Sequence, residues 1–248
     1  MSGIVLVTGG SRGIGAATVR LAAAKGYDVA INYHSARAEA DALAAEVAKH
    51  GVRTAVIQAD VANEGDVLRL FDTVDRDLGP LTALVNNAGT LGGVGRLDEI
   101  ETSVLRRTLD LNVLGSFLCA REAIRRMSTR HGGQGGTIVN LSSISARLGN
   151  GGQWVHYAAS KGAVHTMTKG LAQEVGGEGI RVNAVAPGLI DTEIHAPAGG
   201  KDRYPKVLPT IPLARVGTTE EVAEAILWLM SDASSYVHGA ILEVAGGR

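Results

Sequence analysis

Ile4-Val5-Leu6-Val7-Thr8-Gly9-Gly10-Ser11-Arg12-Gly13-Ile14-Gly15 is the stretch on which the fold turns. Four consecutive apolar residues read as a strand buried on both faces, the habit of parallel sheets. A helical period follows from Ile14 to Ala24 and stops at Lys25-Gly26. Glycines between such a strand and helix let the backbone turn sharply and approach a pyrophosphate, which then sits at the helix N-terminus. Gly9, Ser11, Arg12, Gly13, Ile14 and Gly15 are the candidate phosphate-loop residues. The spacing is G-x-x-x-G-x-G and lacks the Lys-Ser/Thr of a nucleoside-triphosphate loop, which turns the reading away from ATP or GTP chemistry. A tight turn with no ligand is the plainer alternative.

Outward from this unit, β-type and α-type periods alternate. Strands are expected at Asp28–Tyr33, Thr54–Gln58, Ala83–Asn86, Thr137–Leu141, Arg181–Val185 and Ala240–Val244. Helices are expected over Ala36–His50, Glu64–Leu78, Thr102–Arg130, Tyr157–Val175 and Thr219–Leu229. Seven strands joined by helices imply an α/β fold of Rossmann type: one doubly wound, seven-stranded parallel sheet with helices on both faces. No linker or repeat divides the chain, so residues 1–248 are expected to form one nucleotide-binding domain. The least patterned stretch, His195–Pro212, is rich in Gly and Pro and reads as a lid at about 193–212.

Composition removes several function classes. With 45 % hydrophobic and 20 % charged residues the chain is not a disordered segment. The lone Cys119 cannot form an internal disulfide, and no Cys/His cluster has zinc-site spacing, so no metal is expected. A net charge of −1 and only two Phe, two Trp and five Tyr weigh against nucleic-acid binding. No export signal is visible and no apolar run approaches the ~20 residues of a membrane span, so a cytoplasmic protein is the expectation. The 33 glycines are about twice the usual share of ~7 %, which fits close backbone approaches.

The end of the second strand speaks to the cofactor. A site built for NAD places Asp or Glu there to bond the ribose hydroxyls. Here the chain runs Asn32-Tyr33-His34-Ser35, with Arg37 beyond and no carboxylate between Val29 and Ala38. Arg12 could add a second cation. Missing repulsion plus available donors favours a 2′-phosphate, hence NADP(H), with NAD(H) still usable. The plainer reading of His34 and Arg37 is a solvated loop. Asp60-Val61 and Asn86-Asn87-Ala88-Gly89 both end strands, where ligands bind in open α/β sheets. An Asp at the first can face an adenine amino group, and small residues at the second leave room for a ribose.

Tyr157 and Lys161 stand four apart at a helix start and so share a face. A free tyrosine titrates near 10, too high for work at neutral pH. A neighbouring ammonium favours the phenolate and lowers that value. Such a tyrosine can give a proton to a carbonyl oxygen or take one from an alcohol. Ser142-Ser143 follows the fifth strand and could hold the substrate oxygen. Asn112 interrupts the long helix, where Asn competes for backbone bonds, and suggests a kink or a water site.

Taken together, TGGSRGIG at 8–15, DV at 60–61, NNAG at 86–89, Asn112, LSS at 141–143, YAASK at 157–161 and PG at 187–188 resemble the short-chain dehydrogenase/reductase family in its compact form. The resemblance spans nearly the whole chain. It looks most like bacterial oxidoreductases loosely described as sugar dehydrogenases. It implies a catalytic tetrad of Asn112, Ser143, Tyr157 and Lys161, with Tyr157 as acid/base. Lys161 would bind the nicotinamide ribose and lower the tyrosine pKa, Ser143 would orient the substrate, and Asn112 would hold a relay water. By the same resemblance Tyr33, His34, Ser35, Asp60, Val61, Asn87, Ala88 and Gly89 line the adenosine half of the cofactor. Pro187, Gly188, Ile190 and Thr192 hold its carboxamide. A homotetramer acting on a small carbonyl or alcohol is implied as well.

One departure is visible. Ser143 precedes Tyr157 by one residue more than the family's usual spacing, which keeps Ser142 open as the catalytic serine. The extra residue lies in Gly149–His156, a segment expected to line the substrate site. Trp154 there either shapes access or packs on the lid. Cys119, among Phe117, Leu118 and Ala120, reads as a small core residue. Two other functions compete: a nicotinamide-sensing binding protein without turnover, and a sugar-nucleotide epimerase or dehydratase. The Ser-Tyr-Lys set speaks against the first, and the short stretch after Pro187 against the second.

Overall fold

The structure is a computed structural model that describes residues 3–194 and 199–248. Its strands are β1 (Ile4–Val7), β2 (Asp28–Tyr33), β3 (Thr54–Gln58), β4 (Ala83–Asn86), β5 (Gly136–Leu141), β6 (Ile180–Pro187) and β7 (Ile241–Val244). All pair in parallel, in the order β3-β2-β1-β4-β5-β6-β7. The sequence therefore reverses its direction of travel at β1/β4, and the crevice above that switch is where open α/β sheets bind ligands.

The apolar run of β1 serves both faces. Val5 and Val7 join one core with α1 (Gly13–Ala24), α2 (Arg37–Val47) and α9 (Thr219–Met230). Ile4 and Leu6 join a second core with α3 (Glu64–Asp77), α5 (Gly115–Met127) and α7 (Val155–Val175). Period two on a strand covered by helices from both sides is the physical reason the run never alternates with polar residues. Helix α3 buries Val67, Leu70, Phe71 and Val74, a stripe at helical spacing, and Asn63 caps it by accepting from the Asp66 amide at 3.0 Å. Thr218 and Glu221 form a reciprocal capping box at the head of α9.

The long helix expected over Thr102–Arg130 is divided. α4 (Thr102–Leu109) and α5 are joined by a π-turn, Asp110–Leu114, with Asn112 fully buried at its centre. π-turns insert one residue into the helical ladder and concentrate at functional sites. The stretch expected to be unpatterned also has structure. Short turns at Gly200–Arg203 and Leu208–Thr210 flank α8 (Tyr204–Val207), and the one-turn α6 (Ser145–Leu148) stands after β5. The part of the expected lid at 195–198 lies outside the described residues.

Candidate active site

The loop after β1 is shaped by contacts that only glycine permits. Gly9 and Gly13 have φ of +59° and +54°. A Cβ on Gly15 would collide with the Gly9 carbonyl oxygen and stand 2.6 Å from Asn87 Nδ2. Two side chains overlooked in the sequence hold the loop. Asn32 Oδ1 accepts from the Gly9 amide at 3.1 Å, while its Nδ2 donates to the Ala59 carbonyl at 3.1 Å. Thr8 Oγ1 accepts from the Asn87 and Ala88 amides, both at 3.0 Å, and Asn87 Nδ2 returns bonds to the Thr8 and Gly9 carbonyls. Arg12 gives the first turn of α1 no side-chain cap, although its carbonyl accepts from the Ala16 amide at 3.1 Å.

At the end of β2 the candidates separate. The Tyr33 ring is buried in the core, whereas His34 and Ser35 are exposed. Each side chain considered for a 2′-phosphate already faces a carboxylate: Arg12 faces Glu193 at 3.4 Å, Arg37 faces Asp41 at 3.2 Å, and His34 Nε2 faces Asp60 at 3.9 Å. Asp60 itself accepts from Arg107 at 2.8 Å and from the Ala62 amide at 3.1 Å. Arg107 and those bonds hold its carboxyl below the usual carboxylate range, although burial opposes them. Val61 is a core residue pressed against Gly115, so its side chain faces away from the crevice.

Beyond β4 and β5 a cavity of about 310 Å³ opens. Tyr157, Lys161, Ser143, Asn87 and Gly89 line it from one side, and Pro187, Ile190 and Thr192 from the other. The two serines part company here. Ser142 also lines the cavity, but its Oγ donates to the Lys161 carbonyl at 3.1 Å. Ser143 Oγ accepts from the Ser145 amide at 3.1 Å and faces the Tyr157 hydroxyl. Gly188 lines the cavity through its backbone, and a Cβ there would meet Ala245 at 2.8 Å.

The electrostatics depart from the sequence reading. Burial pushes the Tyr157 phenol up to about 12, and only the Ser143 hydroxyl pulls the other way. Lys161 is not the force that lowers it in the ligand-free chain. Its Nζ lies 5.8 Å from the Tyr157 ring centre and donates to the Leu141 carbonyl at 2.6 Å, and burial brings it down to about 8. Asn112 is likewise committed. Its Nδ2 donates to the Thr90 carbonyl at 2.9 Å and to Ser160 Oγ at 3.0 Å, and its Oδ1 accepts from the Thr90 amide at 2.9 Å. With these three bonds the side chain braces the turn behind Lys161.

The surroundings fit a nicotinamide nucleotide. A Cβ on Gly89 would stand 3.3 Å from Asn112 Oδ1 and 3.5 Å from Lys161 Nζ, so the missing side chain leaves a polar cradle beside Lys161. Thr192 Oγ1 is buried with no partner, a hydroxyl suited to an amide. Cys119 is fully buried with its thiol pushed up to about 12, which removes it as a nucleophile. Among the described residues no cluster of His, Cys, Asp or Glu could hold a metal ion, and no helix is long and apolar enough to cross a membrane. Arg203, Lys206 and Arg248 also line the cavity; nothing in the sequence pattern marked them.

Comparison with known proteins agrees with this layout. The family model described as enoyl-(acyl carrier protein) reductase matches residues 9–248. An uncharacterized oxidoreductase, YgfF of Escherichia coli (strain K12), is 48 % identical over 99 % of both chains. Glucose 1-dehydrogenase 2 of Bacillus subtilis (strain 168) is 36 % identical over 98 % of this chain and 93 % of its own. A blue fluorescent protein from a metagenomic library, solved in complex with NADPH, superposes with a TM-score of 0.91 at 38 % identity, over 99 % of this chain and 97 % of its own. Sequence, sheet order and switch-point crevice agree on one assignment: the chain belongs to the short-chain dehydrogenase/reductase family of oxidoreductases.

Proposed function

We propose that the protein interconverts a small ketone or aldehyde and the matching alcohol with NADP(H) in preference to NAD(H). The observation that carries this reading is the meeting of Ser143, Tyr157 and Lys161 in one cavity at the switch point of the sheet. The bound nicotinamide supplies or accepts the hydride. In reduction the Tyr157 phenol gives its proton to the carbonyl oxygen, and Ser143 donates a second hydrogen bond to the same atom. The phenolate left behind is stabilised by the Lys161 ammonium, whose remaining donors suit the ribose hydroxyls. Oxidation runs the same transfers backwards, with the phenolate as base. Asn112 acts as a positioning residue through Thr90 and Ser160.

Gly9, Ser11, Arg12, Gly13, Ile14 and Gly15 would hold the pyrophosphate. Asn87, Ala88 and Gly89 would lie along the ribose, and Ile190 and Thr192 would take the carboxamide. His34, Ser35 and the two arginines Arg12 and Arg37 would serve the 2′-phosphate. Their present ion pairs are exposed and weak, so a phosphate can take the place of the carboxylate. The NADPH in the metagenomic neighbour's structure supports the same choice. The segment from 193 to 212 would act as the substrate lid, in a cytoplasmic homotetramer.

A panel of ketones and aldehydes followed by NADPH absorbance, and the matching alcohols with NADP⁺, tests the reading. Turnover of at least one pair that disappears in Tyr157→Phe is the expected result. Cofactor binding without turnover of any carbonyl would put the sensing protein in its place.

A further inference from the structure

Two buried donors beside the Tyr157 cavity have no acceptor among the described residues. The Arg203 guanidinium lies over the Trp154 ring, 4.3 Å from its centre. Arg203 Nη1 and Trp154 Nε1 are both sealed from water and unpartnered. Unpaired buried donors are costly, and native structures keep few of them without a reason. Arg203 stands on the Gly200–Arg203 turn of the lid, and Trp154 immediately precedes α7. The stacking therefore bridges the lid to the helix that carries Tyr157.

The charge around them is one-sided. Lys206 and Arg248 line the same cavity, and no Asp or Glu does. Of the nearby carboxylates, Asp202 is exposed and does not line the cavity, while Asp191 is occupied by Lys201 and Tyr204, Glu193 by Arg12, and Glu243 by Arg147. Burial and the charge of Arg248 both work against the Arg203 cation, and burial works against Arg248. The Trp154 ring and Tyr204 favour the Arg203 cation, but no carboxylate among the described residues pairs with it, and an incoming anion would.

We infer that the substrate is a ketone or secondary alcohol that carries a carboxylate, held by Arg203 with Trp154, Lys206 and Arg248 at the lid end of the cavity. This rests on Tyr157 marking the reacting end. The indole covers one face of the guanidinium, which leaves its edge to present the planar fork that matches a carboxylate. The cavity of about 310 Å³ is shared with the nicotinamide, which favours a small oxo acid. Arg203 is a specificity-determining residue.

The test compares acids with their neutral twins. Pyruvate, acetoacetate and levulinate are run with NADPH against their methyl esters, and dihydroxyacetone phosphate against dihydroxyacetone. At least one acid is expected to exceed its ester by about 10- to 100-fold in kcat/KM, the range of a charge-assisted pair. Arg203→Gln is expected to shrink that ratio below about threefold, mainly through KM, with the NADPH dissociation constant held. A second readout needs no turnover. With Trp228→Phe the only remaining tryptophan is Trp154, and its fluorescence should saturate with the acid in the presence of NADP⁺ but not with the ester. Esters turned over as well as acids would overturn the inference and leave the oxidoreductase reading standing. No turnover of any carbonyl, with a saturable Trp154 response to acids alone, would overturn that reading and leave the anion site standing. Preference confined to the phosphate pair would reject a carboxylate. Loss of NADPH affinity in Arg203→Gln at an unchanged acid-to-ester ratio would assign the arginine to the cofactor and end the proposal.

Discussion

The Ser142 hydroxyl donates to the backbone carbonyl of Lys161 at 3.1 Å, so the serine that adjoins the reacting tyrosine is its neighbour, Ser143. Strand pleating puts consecutive side chains on opposite sides, and β5 ends just before this pair. The two alanine variants should therefore fail differently. Ser143→Ala should lower kcat by about 10- to 100-fold, as expected for one lost donor to the reacting oxygen, and should also cost stability because the buried Ser145 amide loses its acceptor. Ser142→Ala should keep most of its activity and lose about 1 kcal/mol of stability, because one buried hydrogen bond goes while the Lys161 carbonyl keeps its helical partner. Steady-state rates separate the two variants, and urea melts check the losses of stability.

Tyr157→Phe removes only the titrating hydroxyl. A fall in kcat of about 10²- to 10⁴-fold is expected, with cofactor affinity little changed. Retention of most activity would sink the acid/base assignment.

The pH dependence of alcohol oxidation follows from the two buried groups. Reaction needs the phenolate of Tyr157, held up to about 12, and the ammonium of Lys161, brought down to about 8. Below 8 the phenolate fraction grows with pH while Lys161 stays charged, so kcat/KM rises. Above 8 the growing phenolate fraction is offset by loss of the lysine proton, and the profile levels. A profile that falls between pH 6 and 8 contradicts this.

Lys161 also links activity to stability. Its folded pKa of about 8 lies below the unfolded value near 10.4, so between these pH values the unfolded chain binds more protons and stability rises with pH. Lys161→Met carries no such titration. The variant should be inactive, and its melting temperature relative to wild type should be higher at pH 7 than at pH 10. Thermal melts at the two pH values check the sign.

Cofactor choice is tested by the ratio of kcat/KM for NADPH over NADH. A preference of about ten- to a hundredfold is expected, reduced in Arg12→Ala and Arg37→Ala. A ratio of one, or in favour of NADH, would remove the role given to the end of β2.

Leu109, Leu114 and Phe117 are each more than 40 % exposed along the outer side of α4 and α5, an apolar strip that solvent does not favour. In a homotetramer it would be covered. Light scattering should return about four times 25.6 kDa at micromolar concentration, and Phe117→Glu should yield a smaller species.

Local patterns carried most of the architecture. Apolar runs gave seven strands within a few residues of their observed bounds, and the misplaced polarity of Asn112 marked the π-turn. The lid turns at 200–210 escaped because proline and glycine punctuate them as they would a loop. Asn32 and Thr8 escaped because a buried polar residue in a strand looks like a pleat facing water until its partners are placed.

Sequence by itself determined which groups exist and which elements carry them: the glycine turn between β1 and α1, a tyrosine and a lysine one turn apart on α7, two serines after β5. Those are short-range facts, set by backbone sterics and helical or strand period within a few residues. Only the tertiary structure decided which serine faces Tyr157, that burial rather than Lys161 sets the phenol's pKa in the ligand-free chain, and that Arg203 lies on Trp154 with no carboxylate to meet it. Solvation and charge depend on every element that closes around a group. That enclosure is made by residues far apart in the chain, and no local pattern records it.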